Sequence, residues 1–357
     1  MSDLKALLDR EARDFELAPE AWDRTQDSLL RRRRRRRISA SLVALVVAMG
    51  GLAGAWVAFG PASRTVAPGA GTNESPATQG PLIGKIVMTS GAGVPQIMVI
   101  DPDGSGGHVL APSPYPQWDP AVSPDGTRIA YRGYFGPNEG DYDLFVMNAD
   151  GSVVTRLTHD TLATNPSWSP DGSQIAFGAS GVGGVPGQEV GRTLIEIVDA
   201  DGTGMHALTD PPPDAEDSSP AWSPDGTKLA FVRLTQDDGF QIYTANADGT
   251  GVTPVTSTPG FKSHPAWSPD GRTIAFAGSR QGEPSQIYTV DAGGGTPAEL
   301  TDGASSNTSP VWIDGGTRIA YTFQDGSELR TMNPDGSGIT TVDGVRSVAA
   351  FDWRTEP

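Results

Sequence analysis

The sequence predicts an all-β fold: a six-bladed β-propeller of four-stranded blades, closed by its C-terminal strand and preceded by a single transmembrane helix. Three observations carry this. A Pro-Ala-Trp-Ser-Pro-Asp-Gly motif recurs about every 45 residues, short apolar runs follow each copy at matching places, and one long uncharged stretch stands near the N-terminus. Composition agrees: the 357 residues include 45 Gly and 30 Pro, both poor in helix interiors and frequent in turns. There is no cysteine, which excludes disulfide frameworks, zinc–thiolate sites and thiol nucleophiles.

The motif begins at Pro120, Pro166, Pro220, Pro265 and Pro310, with spacings of 46, 54, 45 and 45. Each copy is followed by an apolar run (RIAYRG from Arg128, QIAFGA from Gln174, KLAFVR from Lys228, TIAFAG from Thr273, RIAYTF from Arg318), then by a second run ending in a turn such as NADG or DADG. A last strand often closes on Leu-Thr, as in RLTHD and ELTDG. Runs of four to six residues rich in Ile, Val, Tyr and Phe, bounded by Gly, Pro, Asp and Asn, are hairpin-linked antiparallel strands. Four of them per 45-residue unit make a propeller blade. A sixth unit, KIVMTS from Lys85 with QIMVIDPDG from Gln96, lacks its first strand, and VAAFDWR at Val348 to Arg354 supplies it. Closing the ring in this way pairs strands that would otherwise be exposed edges.

Trp168, Trp222, Trp267, Trp312 and Trp353 share one register, with Val122 in the remaining unit. An aromatic once per blade is expected to pack between neighbours. In the SPDG turn, Pro presets φ, Asp bonds nearby backbone N–H groups and Gly accepts a positive φ. Asp101 with Asp103, and Asp199 with Asp201, hint at calcium. The pattern stops after two carboxylates, so these are read as turns. No metal or cofactor is expected.

The chain ahead of the repeats is different. Residues 1–80 carry 12 Lys and Arg against 9 Asp and Glu, whereas 81–357 carry 14 against 34, so a leader of +3 precedes an exported part of −20. Residues 1–37 form a short segment ending in Arg31, Arg32, Arg33, Arg34, Arg35, Arg36 and Arg37. Its Leu4, Leu7, Leu8 and Phe15 fall near helical spacing, but a solvated tail accounts for them as well. Residues 38–60 are uncharged and long enough, at about 35 Å, to cross a hydrocarbon core of about 30 Å. A cleaved signal peptide would have a shorter apolar region and a shorter basic one. The arginines are expected to keep the N-terminus in the cytoplasm and send the rest outward. Residues 61–80 read as a flexible Pro/Gly/Ser/Thr stalk. This plan resembles single-pass proteins of high-GC Gram-positive bacteria, some of whose stubs look like anti-sigma segments.

The PAWSPDG units with their IAF and Leu-Thr strands, over residues 81–357, resemble the TolB-type, WD-like propeller family. That resemblance implies a six-bladed ring and an envelope role. TolB itself has an extra N-terminal domain where this chain has a span and stalk. The same propeller precedes the hydrolase domain of prolyl-oligopeptidase-like enzymes, but no G-x-S-x-G elbow occurs here. Oligogalacturonate-lyase-like relatives hold a metal with channel histidines. Here His108, His159, His206 and His264 fall at unlike repeat positions, and only His159 and His264 are expected near one face.

The residue before each motif proline, namely Asp119, Asn165, Ser219, His264 and Ser309, is polar and is expected at the start of the innermost strand, rimming the channel mouth. Capping of strand ends is the alternative. Variable loops gather on the same face: Tyr134 to Asp141, Ser180 to Gly191 and Thr209 to Ser219. The expected function is that of a membrane-anchored extracytoplasmic module, at the cell surface or in the periplasm, that binds a protein or envelope ligand without catalysis. The net charge of −17 argues against nucleic acid. Two alternatives stand beside it: a sensor whose residues 1–37 bind a cytoplasmic regulator such as a sigma factor, and a metal-dependent lyase or hydrolase at the channel mouth.

Overall fold

Each repeat turns back on itself within about 45 residues, and the turns set the strands. A computed structural model describes residues 81–90, 94–134, 142–159, 161–180, 193–280, 282–303, 305–324 and 326–355. The cytoplasmic segment, span and stalk expected within 1–80, and most of the loops after Tyr134 and Ser180, lie outside the described residues. Among the described residues no helix is long and apolar enough to cross a membrane.

Six four-stranded antiparallel sheets follow one another around an axis. From the axis outward, blade 1 holds Val348–Trp353, Ile86–Ser90, Ile97–Ile100 and His108–Val109. Blade 2 holds Gln117–Val122, Arg128–Tyr134, Tyr142–Asn148 and Thr155–Arg156; blade 3 holds Thr164–Trp168, Gln174–Ser180, Thr193–Asp199 and His206–Ala207. Blade 4 holds Glu216–Trp222, Lys228–Thr235, Gly239–Asn246 and Thr253–Pro254; blade 5 holds Phe261–Trp267, Thr273–Ser279, Gln286–Asp291 and Ala298–Glu299. Blade 6 holds Asn307–Ile313, Arg318–Phe323, Glu328–Met332 and Thr340–Arg346. The C-terminal strand closes the ring in the expected register, with Ile86 opposite Trp353 and Met88 opposite Phe351.

Apolar faces of neighbouring blades meet in six buried clusters, one per seam. Ala121, Leu144, Trp168 and Phe177 fill the seam between blades 2 and 3, and Ile195, Leu208, Leu229 and Phe231 that between blades 3 and 4. Three of the five repeated tryptophans also tie blades by hydrogen bonds. Trp168 Nε1 donates to the Ala121 carbonyl (2.9 Å), Trp267 to Ala221 (3.0 Å) and Trp312 to Ala266 (3.1 Å).

The SPDG turn contains more than Pro, Asp and Gly. In blade 2, Ser123 Oγ donates to Asp125 Oδ1 (2.6 Å) and accepts from the Arg128 N–H (2.9 Å), while the Thr127 N–H donates to Asp125 Oδ1 (3.1 Å). Blades 3, 4 and 5 repeat this with Ser169, Ser223 and Ser268. The Ser hydroxyl and the N–H two residues on hold the carboxyls of Asp171, Asp225 and Asp270 below their usual value. A belt of contacts links these turns. Pro124 packs on the position of Gly172, Pro170 on Gly226, Pro224 on Gly271 and Pro269 on Gly316.

The outer strand differs from expectation. It is two residues long in blades 1 to 5, and in blades 2, 3 and 5 it ends just before Leu-Thr. The ladder continues through a side chain: Leu157, Leu208, Val255 and Leu300 donate their N–H to the third strand. The next residue's hydroxyl (Thr158, Thr209, Thr256, Thr301) then accepts a third-strand N–H at 3.0 Å. A threonine Oγ1 therefore stands in for a backbone carbonyl and pairs the third-strand N–H that the short outer strand leaves over.

Candidate functional site: the axial ring and its aromatic flank

Inner strands run from the loop face, where the blade-to-blade connections lie, to the turn face, where SPDG and DADG lie. Asp119, Asn165, Ser219, His264 and Ser309 lie inside these strands, not at their start as the sequence implied. His264 is the fourth of seven residues in Phe261–Trp267, and Asp119 the third of six in Gln117–Val122. The reason is a β-bulge. All five have left-handed backbone, with φ of 52, 47, 52, 50 and 52°, and each strand's register slips at that point, for example between Ser263 and Ala266. A bulge re-aims one side chain at the cost of local ladder bonds. Blade 1 has no left-handed residue at the matching position, Ala350, and its register slips between Ala350 and Val348.

The ring brings these residues into one electrostatic neighbourhood. Ser219 Oγ stands 3.5 Å from Asn165 Oδ1 of the neighbouring blade. His264, on the opposite side of the ring from Asp119, feels that carboxylate. Burial holds the imidazole below its usual 6.5 and Asp119 pulls the other way, so the ring is neutral near pH 7. His264 Nδ1 is sealed from solvent and has no hydrogen-bond partner. Asp119 Oδ2 lies 3.1 Å from Arg132 Nε, at an angle that makes the contact an ion pair and not a hydrogen bond.

Arg132 leads to a feature that sequence reasoning missed. Its guanidinium stacks over Trp118 (5.0 Å) and Tyr142 (5.2 Å). Trp118 meets Tyr142 edge-on at 5.5 Å, Tyr142 meets Tyr134 at 5.4 Å, and Tyr134 meets Tyr115 at 6.1 Å. Four aromatics and one arginine thus flank the loop-face end of the axis at blade 2. Trp118 and Tyr142 are far apart in sequence and are brought together by strand pairing around Arg132. Aromatic rings with a guanidinium supply large contact area at low conformational cost, the composition of interface centres.

The histidines separate. His108 and His206 lie on outer strands, each with Nδ1 near a turn carbonyl (Gly106 at 2.9 Å, Gly204 at 2.8 Å), far from His264 in its inner strand. Among the described residues no three His, Asp or Glu gather where they could hold a metal. The DxDG carboxylates serve their turns: Asp103 Oδ1 accepts the Ser105 N–H and Asp201 Oδ1 the Thr203 N–H, each at 2.9 Å.

Fold and site together define a six-bladed β-propeller with a polar axis. Residues 213–343, covering most of blades 4 to 6, match the family described as the TolB beta propeller domain. The chain is 32% identical over 120 residues to the "Protein TolB homolog" of Chlorobium luteolum, covering 32% of this chain and 23% of that one. It is 33% identical over 130 residues to the "Uncharacterized peptidase YuxL" of Bacillus subtilis, covering 35% and 18%. It therefore spans less than a quarter of either relative. In fold it is similar to TolB from Acinetobacter baumannii, with a TM-score of 0.59, 22% identity, and 76% of this chain and 67% of that one covered. These likenesses support a TolB-type propeller fold.

Proposed function

We propose that this chain is a membrane-anchored, extracytoplasmic propeller that binds a protein or envelope ligand at the loop-face end of its axis, without catalysis. The observation that carries the proposal is the junction of Arg132 with both groups of residues: it pairs with Asp119 of the axial ring and stacks on Trp118 and Tyr142 of the aromatic flank. A ligand seated there meets aromatic surface and hydrogen-bonding groups side by side. The Arg31–Arg37 run and the uncharged 38–60 stretch support the anchor. The relative named a peptidase shares 130 residues with this chain, and the sequence lacks a nucleophile elbow, so binding is the reading we adopt.

A photo-crosslinking residue at Tyr115, on the loop face and 40% exposed, is expected to capture a partner in intact cells. The same residue at Val153, in a turn on the opposite face, is expected to capture none. Capture from Val153 alone would overturn the assignment. Protease added to intact cells should degrade the propeller, and protection would sink the anchored topology.

A further inference from the structure

Blade 2 departs from the repeat at one cross-strand pair. Trp118 of its inner strand stands opposite Arg132 of the next. The same pair is Thr164 with Gly178 in blade 3 and Ser218 with Val232 in blade 4. It is Ser263 with Ala277 in blade 5 and Thr308 with Thr322 in blade 6. Four blades complete their sheets with nothing larger than valine where blade 2 carries a tryptophan and an arginine.

The bonding of Arg132 is equally unlike that of its counterparts. Its side chain is 16% exposed, close to Arg233 (11%), Arg156 (21%) and Arg330 (26%). Each of those three sets Nε and a terminal nitrogen on protein acceptors: Arg233 on Asp217, Arg156 on Thr158 and Asp143, Arg330 on Glu328. Among the described residues, Arg132 donates no hydrogen bond from any nitrogen. Its Nε is sealed beside the Asp119 carboxylate, whereas its two terminal nitrogens are open to solvent. Stacking on Trp118 and Tyr142 engages the face of the guanidinium and leaves the in-plane N–H groups at that end unused. A largely buried donor fork without a protein acceptor is rare.

We propose that the terminal nitrogens of Arg132 clamp a carboxylate of a peptide ligand, whose adjoining apolar side chain lies on Tyr134 and Tyr115. This rests on the loop-face binding site proposed above and names what that site recognises. Two N–H groups at the end of a planar guanidinium match the two oxygens of a carboxylate. The rings and Asp119 hold the fork in place beforehand, so binding freezes few rotamers. Charge favours a carboxylate over a phosphate. Asp119 already offsets Arg132, and residues 81–357 carry 14 Lys and Arg against 34 Asp and Glu, so a doubly charged group meets more repulsion than a singly charged one. A chain end and an acidic side chain present the same two oxygens, and the test separates them.

Calorimetric titration of the full chain with three peptides tests this. They are acetyl-leucyl-phenylalanine, its C-terminal amide, and acetyl-aspartyl-phenylalaninamide, whose one carboxylate is on a side chain. Saturable binding is expected for at least one of the two acids, and the tighter of them tells a chain end from a side chain. The leucyl amide should bind about tenfold more weakly or worse, the worth of a charge-assisted hydrogen bond. That comparison needs no variant, so it holds whether or not Arg132→Gln folds. Arg132→Gln, its fold checked by circular dichroism, should bring acid and amide within about twofold of each other. Arg330→Gln, which removes an arginine already bound to Glu328, should leave the preference intact. No saturation by either acid, equal binding of the amide, or a preference that survives Arg132→Gln would overturn the proposal. Any of these together with partner capture from Tyr115 refutes the clamp and leaves the loop-face site standing. Failure of both capture and peptide binding removes the two together.

Discussion

Around the turn face, blades 2 to 5 present the same hydrogen bonds from the same Ser and Asp, and the same proline packed on the next blade's glycine. Around the loop face the described blades differ: blade 2 has the Arg132 aromatic cluster, blade 4 the buried Arg233–Asp217 pair, and blade 5 the buried Lys262. The repeated face shapes the ring. The unrepeated face varies from blade to blade, each with its own local solution. Four tests probe this division.

The largest effect is expected on the unrepeated side. Asp217 is fully buried and holds Arg233 through two bonds, 2.6 and 2.8 Å, so Asp217→Ala should cost about 3–5 kcal/mol by stranding a buried charge. Asp217→Ala with Arg233→Met should recover most of it. Urea titrations of both decide whether the pair supports the fold or a partner.

Glycine substitutions come next, because the same backbone conformation occurs on both faces. Gly249, in the turn after Asn246 (φ 81°), has the Leu208 carbonyl of the previous blade 2.2 Å from where a Cβ would lie. Gly239, at the loop-face hairpin (φ 68°), has nothing within 4 Å. Gly249→Ala should cost about 2–4 kcal/mol and Gly239→Ala about 1 kcal/mol. Equal thermal shifts would refute the role of inter-blade turn packing.

Lys262 should respond to pH. It is 4% exposed, its Nζ donates to the Thr258 and Gly260 carbonyls, and burial pushes its pKa down to about 8 from 10.5. Between those values the folded state binds fewer protons than the unfolded chain. Stability therefore rises as pH climbs from about 8 towards 10.5, and the penalty is fully present below 8. Lys262→Met should stabilise the protein by about 1–2 kcal/mol at pH 7 and flatten that rise. The smallest effect is expected at the turns. Ser223→Ala removes one of four equivalent serines and should cost about 1 kcal/mol by thermal unfolding.

Blade number and turn chemistry were legible because each rests on residues within about ten positions, repeated often enough to align; ring closure was legible because one unit lacks its first strand and the C-terminal run supplies one. The Leu-Thr strand was placed two residues late because a threonine hydroxyl imitates a backbone acceptor, a substitution that no strand pattern reveals. The five pre-proline residues share a left-handed bulge that carries them into the strands, a displacement the motif spacing does not reveal. The Arg132 cluster escaped because Trp118 and Tyr142 become neighbours only through pairing of three strands. What pointed to it in the sequence was a surplus of Trp and Tyr in one repeat alone.

One feature of blade 1 bears on mechanics. The chain enters on the turn face, where the Leu82 N–H donates to the Gly126 carbonyl and the Gly84 N–H to that of Arg354. Ile86–Ser90 then runs towards the loop face between Val348–Trp353 and Ile97–Ile100. Tension applied ahead of Pro81 therefore pulls this strand along its own length. It loads every hydrogen bond of two ladders at once in shear, where a sideways pull would unzip them one by one. The strand that begins the ring is also the one best placed to bear a tether.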